Sequence, residues 1–128
     1  MLSDGRGGLV ARVMSKVERV LVVDDYPGMA DALLILLSGP ARLVRTANGG
    51  VEALAIAREV VPDLVLVDLG LPDLHGAVVA LHLRRILPAA SRLIAMSGNE
   101  DALERHGRAF DAVLIKPVLE EALQILLP

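Results

Sequence analysis

Short apolar runs alternate with amphipathic stretches from residue 18 onward. The runs read VLVV (20–23), LVRT (43–46), LVLV (64–67), LIAM (93–96) and AVLI (112–115), the second being the most polar. Runs of this length and composition are typical of strands that are covered on both faces. This alternation constrains the fold more than any other feature, because few architectures bury several short strands in this way.

The stretches between the runs carry apolar residues at helical spacing. We expect helices over residues 28–38, 50–59, 76–87, 100–106 and 118–127, of which the fourth is short. Alternating strands and helices predict an α/β fold of the (βα)5 type, in which helices cover both faces of a parallel sheet. In such sheets ligands bind beyond the carboxyl ends of the strands.

Composition excludes several classes of function. The chain has 128 residues, 54% of them hydrophobic, which is enough for the core of one domain. Aromatic residues make up only 2% and the net charge is −3. Single-strand binders stack bases on aromatic side chains, and phosphate-backbone binders are basic, so we expect no direct contact with nucleic acid. The absence of cysteine excludes disulfides and thiolate metal sites.

The first residues differ in character from the rest. Residues 1–17 contain the sequence DGRGG and lack the apolar segment of a signal peptide. We therefore expect a flexible N-terminal extension over residues 1–17 and a single domain over residues 18–128. No apolar run approaches the about 18 residues that span a bilayer, so we expect no membrane insertion. These features and the lack of cysteine fit a cytoplasmic protein.

Polar residues follow four of the five runs. They are Asp24 and Asp25 after the first, Asp68 after the third, Ser97 after the fourth, and Lys116 with Pro117 after the fifth. Because the carboxyl ends of parallel strands meet at one edge, we expect these side chains to converge. Each alone is more often a helix cap or a solvated loop residue. Their joint appearance, in order, is what indicates a functional site.

The expected cluster has a definite chemistry. Three neighbouring carboxylates repel one another unless a divalent cation neutralises them, and Mg²⁺ prefers oxygen ligands. A lysine and a hydroxyl nearby suit the oxygens of a phosphoryl group. A carboxylate can act as a nucleophile and form an acyl phosphate. The residues therefore predict a Mg²⁺-assisted site for phosphoryl transfer to aspartate.

The same segments resemble the receiver domain of two-component response regulators, across roughly residues 18–127. VLVVDD, VDLGLPDLHG, IAMSG and LIKPV are similar to that family's acidic pair, phosphoacceptor segment, hydroxyl-bearing strand end and lysine–proline segment. AFDAVLIKPV and DLGLP most resemble receivers attached to hybrid histidine kinases. The resemblance implies a flavodoxin-like, doubly wound three-layer sandwich with a parallel five-stranded sheet in the order 2-1-3-4-5.

The resemblance also implies a role for each matching acidic residue. Asp68 would be the phosphoacceptor. Mg²⁺ would be bound by Asp25, by Asp68 and by the backbone carbonyl of Gly70, while Asp24 would hold it largely through water. No other cofactor is implied.

The remaining site residues would respond to the phosphoryl group. Ser97 would bind one of its oxygens, and Lys116 would pair first with Asp68 and then with the phosphoryl group. Pro117 would follow a cis peptide bond. The phosphodonor would be the phosphohistidine of a sensor or hybrid histidine kinase. The chain would then be a signalling domain that catalyses only its own phosphotransfer and dephosphorylation, and would control a partner by changing conformation.

Two departures from the family pattern affect how a signal passes. Val113 stands three residues before Lys116, where the family often has Tyr or Phe as a rotamer switch. Movement of the loop around Ser97 would then carry the signal. We also hypothesise that Gly70 and Asn99, which flank the site, influence the rate of dephosphorylation.

The last helix is apolar over more than one buried stripe. It is consistent with a frayed carboxyl terminus, or with a face for a downstream protein or a homodimer formed by the fourth helix, the fifth strand and the fifth helix. We expect no DNA-binding or enzymatic output domain within these residues. His75, in the loop after Asp68, is interpreted as an ordinary loop residue.

We considered three alternative functions, and the sequence disfavours the last two. A pseudo-receiver would bind partners without switching, and Val113 mildly favours this. A phosphatase of the haloacid-dehalogenase type needs a second aspartate two residues after the nucleophile, where this chain has Gly70. A flavodoxin-like FMN protein needs a phosphate-cradling loop after the first strand, which this sequence lacks.

Overall fold

The five apolar runs form the five strands of one parallel sheet. The structure, a computed structural model, describes residues 17–127. Its strands are β1 (Arg19–Val23), β2 (Leu43–Ala47), β3 (Leu64–Asp68), β4 (Arg92–Ser97) and β5 (Ala112–Ile115). Its helices are α1 (Pro27–Leu37), α2 (Gly50–Val60), α3 (Gly76–Ile86), α4 (Glu100–His106) and α5 (Glu120–Leu126), with a 3₁₀ helix over Gly107–Ala109.

The strand order is β2-β1-β3-β4-β5, which confirms the predicted topology. The order reverses next to β1 and β3, so the loops that follow these two strands flank the crevice where such folds bind ligands. Every residue of β3 is buried. Val23 is in register with Val67, and Asp68 with Met96, so β1, β3 and β4 end at nearly the same level.

Alternate residues of the strands build two separate apolar layers. One layer packs the sheet against α2, α3 and α4, through residues such as Ile56, Leu83 and Leu103. The other packs it against α1 and α5, through Leu33 and Leu123 among others. Burial of aliphatic side chains on both faces is the main force that holds these layers together. The three-layer sandwich predicted from the sequence is therefore confirmed.

The observed bounds refine the predicted elements. Four helices begin and end within a residue of the expected positions, and α4 is short, as expected. The fifth helix begins at Glu120 and not at residue 118. Val17, which we assigned to the N-terminal extension, is buried against the α1 side of the sheet, so the domain begins before Glu18. The rest of that predicted extension, and Pro128, lie outside the described residues.

Among residues 17–127, none of the helices has both the length and the apolar character needed to cross a membrane.

Candidate functional site

Three aspartates meet at the carboxyl edge of the sheet. Asp24 directly follows β1 and is fully buried, Asp68 ends β3 and is almost fully buried, and Asp25 is exposed. Carboxylate oxygens of all three lie within 4.8 Å of one another. The structure thus brings together the acidic residues that the sequence predicted at two neighbouring strand ends.

Lys116 reaches this acidic cluster from the end of β5. Its Nζ donates to Oδ2 of Asp24 at 2.8 Å and to Oδ2 of Asp68 at 3.0 Å. Its backbone N–H donates to the carbonyl of Ser97 at 2.9 Å, which fixes the lysine beside the end of β4. The peptide bond between Lys116 and Pro117 is cis, as the resemblance implied.

Burial and pairing shift the pKa values of two of these groups. Burial raises the pKa of the Asp24 carboxyl above its ordinary value, although the hydrogen bonds from Lys116 and from the Tyr26 N–H oppose the rise. Burial alone would lower the pKa of the Lys116 ammonium, but its hydrogen bonds to Asp24 and Asp68 outweigh that effect and raise it. The lysine therefore stays charged at neutral pH.

The oxygens of the three carboxylates differ in their availability to a metal. Asp24 accepts from the Tyr26 N–H at 2.9 Å through Oδ1 and from Lys116 through Oδ2, so both of its oxygens have partners. Oδ1 of Asp68 accepts from the Gly70 N–H at 2.9 Å. Between residues 17 and 127, the Asp25 carboxylate makes no hydrogen bond or ion pair. Three clustered carboxylates suit a hard cation such as Mg²⁺, and this pattern favours Asp25 and Asp68 as direct ligands over Asp24.

Ser97 ends β4 with a buried hydroxyl. Its Oγ accepts the N–H of Asn99 at 3.0 Å, which leaves the hydroxyl hydrogen free to donate to a ligand. The side chain of Asn99 caps α4, because its Oδ1 accepts the N–H of Ala102 at 3.2 Å. The structure therefore links Ser97 to the first turn of α4 through a single residue.

Gly70, in the loop after β3, and Gly76, the first residue of α3, differ in how much space surrounds them. A Cβ at Gly76 would lie 2.7 Å from the carbonyl oxygen of Asp68 and 2.8 Å from Cα of Leu69. Only glycine allows α3 to begin this close to the end of β3. A Cβ at Gly70 would find its nearest neighbour, Oδ1 of Asp68, at 3.7 Å, an ordinary contact. Space alone therefore does not require glycine at position 70.

Val113 lies in β5, the strand at one edge of the sheet. It pairs with Ala95 in β4 and is 44% exposed. A Cβ added to Gly107, just after α4, would lie 3.2 Å from Cγ1 of Val113. The sequence has valine at this position and not the aromatic switch residue of the family. In the structure Val113 lies on the exposed edge strand and not in the core.

Asp73 is a further residue that sequence reasoning missed. It lies in the loop between β3 and α3, yet its carboxylate accepts the N–H groups of Gly50 and Val51 at the start of α2. The signal in the sequence is indirect. Helix α2 begins at Gly49-Gly50 with no side chain able to cap it, so its first N–H groups need an acceptor from elsewhere.

Comparisons with known proteins agree with this geometry. The family model described as the response regulator receiver domain matches residues 20–127. A response regulator receiver protein from Anaeromyxobacter sp. is 40% identical over 104 residues, which cover 80% of this chain and 44% of that protein. The DNA-binding response regulator MtrA from Mycolicibacterium smegmatis is 45% identical over 67 residues, or 52% of this chain and 29% of its own. This chain thus spans less than half the length of either relative.

A solved structure shares the same fold. The CheY-like response regulator receiver domain from Methylobacillus flagellatus superimposes with a TM-score of 0.78 at 27% sequence identity. The match covers 87% of this chain and 96% of that one.

Proposed function

The chain belongs to the response regulator receiver domain family, and on this premise we propose that it accepts a phosphoryl group on Asp68, with the help of Mg²⁺. The donor is the phosphohistidine of a sensor or hybrid histidine kinase. The observation that carries this proposal is the pair of hydrogen bonds by which Lys116 Nζ joins Asp68 to the buried Asp24. A charged lysine held against a strand-end carboxylate suits the arrival of further negative charge there.

The transfer is a displacement at phosphorus. A carboxylate oxygen of Asp68 attacks, the new O–P bond forms, and the P–N bond to the donor imidazole breaks with its electron pair left on nitrogen. Lys116 offsets the charge of the incoming phosphoryl oxygens, and the free hydroxyl hydrogen of Ser97 can donate to one of them. When bound at the acidic cluster, Mg²⁺ supplies the positive charge that the carboxylates and the phosphoryl group together require.

Dephosphorylation reverses the chemical state. Water attacks the phosphorus, inorganic phosphate leaves, and the Asp68 carboxylate is regenerated. The domain therefore catalyses only its own phosphorylation and dephosphorylation, and its product is a conformational state and not a released metabolite. This separates it from an aspartate-nucleophile phosphatase.

The conformational signal follows from the contacts of Ser97. If the Ser97 hydroxyl moves toward the phosphoryl group, it pulls on Asn99, whose N–H donates a hydrogen bond to its Oγ. Because Asn99 also caps α4, this movement displaces the start of that helix. This route needs no aromatic residue at Val113.

Exposed apolar side chains offer a surface for a partner. Val113 and Ile115 on β5, and Leu119 and Ile125 at α5, are each between 44% and 81% exposed. We propose that α4, β5 and α5 bind a downstream protein or a second copy of the domain. The 128-residue chain has a net charge of −3, so we propose no direct contact with nucleic acid, whose phosphates require a basic surface. A cytoplasmic location follows from a kinase as phosphodonor.

The decisive experiment is incubation with Mg²⁺ and acetyl phosphate, followed by intact-mass spectrometry. We expect the wild type to gain one phosphoryl group and Asp68→Asn to gain none. Asp31→Asn, which changes an exposed aspartate on α1, is the matched control and should behave as the wild type. No gain in the wild type with any phosphodonor would instead support a pseudo-receiver.

The partner surface has its own test. Sedimentation velocity with and without beryllium fluoride, a phosphoryl mimic, should show a phosphorylation-dependent dimer if the second copy is the partner. An Ile115→Ser variant should lower dimer formation while it still accepts the phosphoryl group. A monomer under both conditions would leave a different protein as the partner.

A further inference from the structure

Asp73 connects the loop that follows the phosphoacceptor to a different helix. Its Oδ1 accepts the N–H of Gly50 at 2.8 Å, and its Oδ2 accepts the N–H of Val51 at 3.0 Å. Oδ1 also accepts the N–H of Leu74 at 2.8 Å, within its own loop. One carboxylate thus bridges the β3–α3 loop and the first turn of α2.

The two glycines at the start of α2 match this contact. A Cβ at Gly49 would lie 3.0 Å and 3.1 Å from the two carboxylate oxygens of Asp73. A Cβ at Gly50 would lie 2.7 Å from Cγ2 of Val79 and 3.0 Å from the Leu74 side chain. A side chain at Gly49 would therefore crowd the Asp73 carboxylate, and one at Gly50 would collide with Val79 on α3 and with Leu74 in the loop. The close approach therefore depends on Asp73 in the loop and on the two glycines at the start of α2.

Electrostatics favour an ionised Asp73. The hydrogen bonds from the N–H groups of Val51 and Gly50 lower the pKa of its carboxyl. A negative charge at the amino end of a helix also interacts favourably with the helix dipole. The bridge is therefore present as a charged carboxylate at neutral pH.

The bridge lies in the loop that follows Asp68 and contains Gly70, two residues that the resemblance to receiver domains assigns to Mg²⁺ binding. Residues 69–75 connect Asp68, at the end of β3, to the tightly packed Gly76 at the start of α3. Gly70, exposed near the beginning of this loop, is anchored through its N–H to Oδ1 of Asp68. Asp73 provides a second anchor, three residues further along, to a helix packed on the sheet.

We propose that Asp73 is a positioning residue: by bridging to the start of α2 it fixes the loop so that the Gly70 carbonyl and the Asp68 carboxylate face the bound cation. This inference rests on the proposed Mg²⁺-dependent phosphoacceptor function. It differs from a role as a simple helix cap, because a cap would stabilise α2 without affecting the acidic cluster.

Calorimetric titration with Mg²⁺ alone, without a phosphodonor, separates the two roles. We expect Asp73→Ala to weaken Mg²⁺ affinity about tenfold, the scale for residues that orient metal ligands. The double variant Gly49→Ser/Asp73→Ala gives α2 its own capping hydroxyl, in space that the removed carboxylate leaves free. It should regain stability in urea unfolding while its Mg²⁺ affinity stays weak.

Asp63→Ala is the matched control. Its carboxylate also accepts hydrogen bonds from two backbone N–H groups, those of Glu18 and Arg19. These contacts lie at the amino ends of β1 and β3, at the edge of the sheet opposite the acidic cluster. Asp63→Ala should lower stability and leave Mg²⁺ affinity unchanged. The inference is overturned if Asp73→Ala binds Mg²⁺ as the wild type does, or if affinity returns with stability in the double variant. A wild type that binds no Mg²⁺ would contradict both the inference and the proposed function, whereas failure of the inference alone appears only in the variants.

Discussion

Lys116 Nζ donates to Oδ2 of Asp24 at 2.8 Å, across 92 residues of sequence. Asp24 is fully buried, so this lysine is the principal positive charge that compensates it. We expect Lys116→Met, measured by urea unfolding without Mg²⁺, to lower the free energy of unfolding by about 3 kcal/mol, because it leaves a buried carboxylate unpaired. The variant should also fail to accept a phosphoryl group.

A double variant tests the cause of that loss. Asp24→Asn/Lys116→Met removes both charges of the buried pair and should recover much of the stability, while phosphorylation stays impaired. If the single variant unfolds at the same urea concentration as the wild type, the pair does not stabilise the fold. Equal instability of the single and double variants would show that lost packing of the lysine stem, and not charge, is responsible.

The acidic cluster predicts stabilisation by Mg²⁺. Carboxylates of Asp24, Asp25 and Asp68 lie within 4.8 Å of one another, and a cation that binds only the folded state raises its stability. At Mg²⁺ one hundred times the Kd, the free energy of unfolding should rise by about 2.7 kcal/mol. The measurement is urea unfolding in MgCl₂ and in NaCl of equal ionic strength.

Asp25→Asn provides the contrast for this experiment. Asp25 is exposed, so its replacement should not disturb packing. Without Mg²⁺ the variant should be at least as stable as the wild type, because one of three repelling charges is gone. Most of the stabilisation by Mg²⁺ should disappear. Stabilisation of equal size in wild type and variant would place the cation elsewhere.

Periodic patterns in the sequence predicted the alternation of strands and helices, because buried parallel strands and amphipathic helices each have a characteristic spacing of apolar residues. The strand order came from the resemblance to receiver domains and not from these patterns. The sequence also predicted that Asp68 and Lys116 would share one edge, since the topology alone brings their strand ends together. It could not predict that Asp73 caps α2. That contact joins residues that are distant in sequence. Whether the Asp73 carboxylate accepts hydrogen bonds from α2 depends on how the loop packs against that helix, and no local sequence pattern indicates this. The cap that Asn99 provides for α4 was likewise overlooked, although it is local.

Gly76 and Gly70 should respond differently to substitution by alanine. A Cβ at Gly76 would collide with the backbone of Asp68 and Leu69, which cannot move without displacing the end of β3. We expect Gly76→Ala to lower the free energy of unfolding by about 2 kcal/mol and to slow phosphorylation of Asp68. Gly70→Ala, which meets only an ordinary contact, should leave stability unchanged. Urea unfolding and the rate of acetyl phosphate labelling measure both effects, and a stable, reactive Gly76→Ala would contradict the close approach.

His75 caps α3 through an atom that protonation would block. Its Nδ1 accepts the N–H of Ala77 at 3.0 Å, and its ring lies 4.3 Å, centroid to centroid, from that of His106. Burial, and then the charges of His106 and Arg105, lower the pKa of His75 below its ordinary value. The folded protein therefore favours the neutral imidazole.

Stability should consequently depend on pH through His75. Because its folded pKa lies below the unfolded value of about 6.5, the unfolded chain binds more protons as the pH falls. The contribution of His75 is full above that value and is lost as the pH drops from there through the folded pKa. Urea unfolding from about pH 7.5 to pH 5 should show this decrease. His75→Asn keeps a capping oxygen without a titrating ring, so its stability should fall less over the same range. A parallel decline in both proteins would assign the pH dependence to other groups.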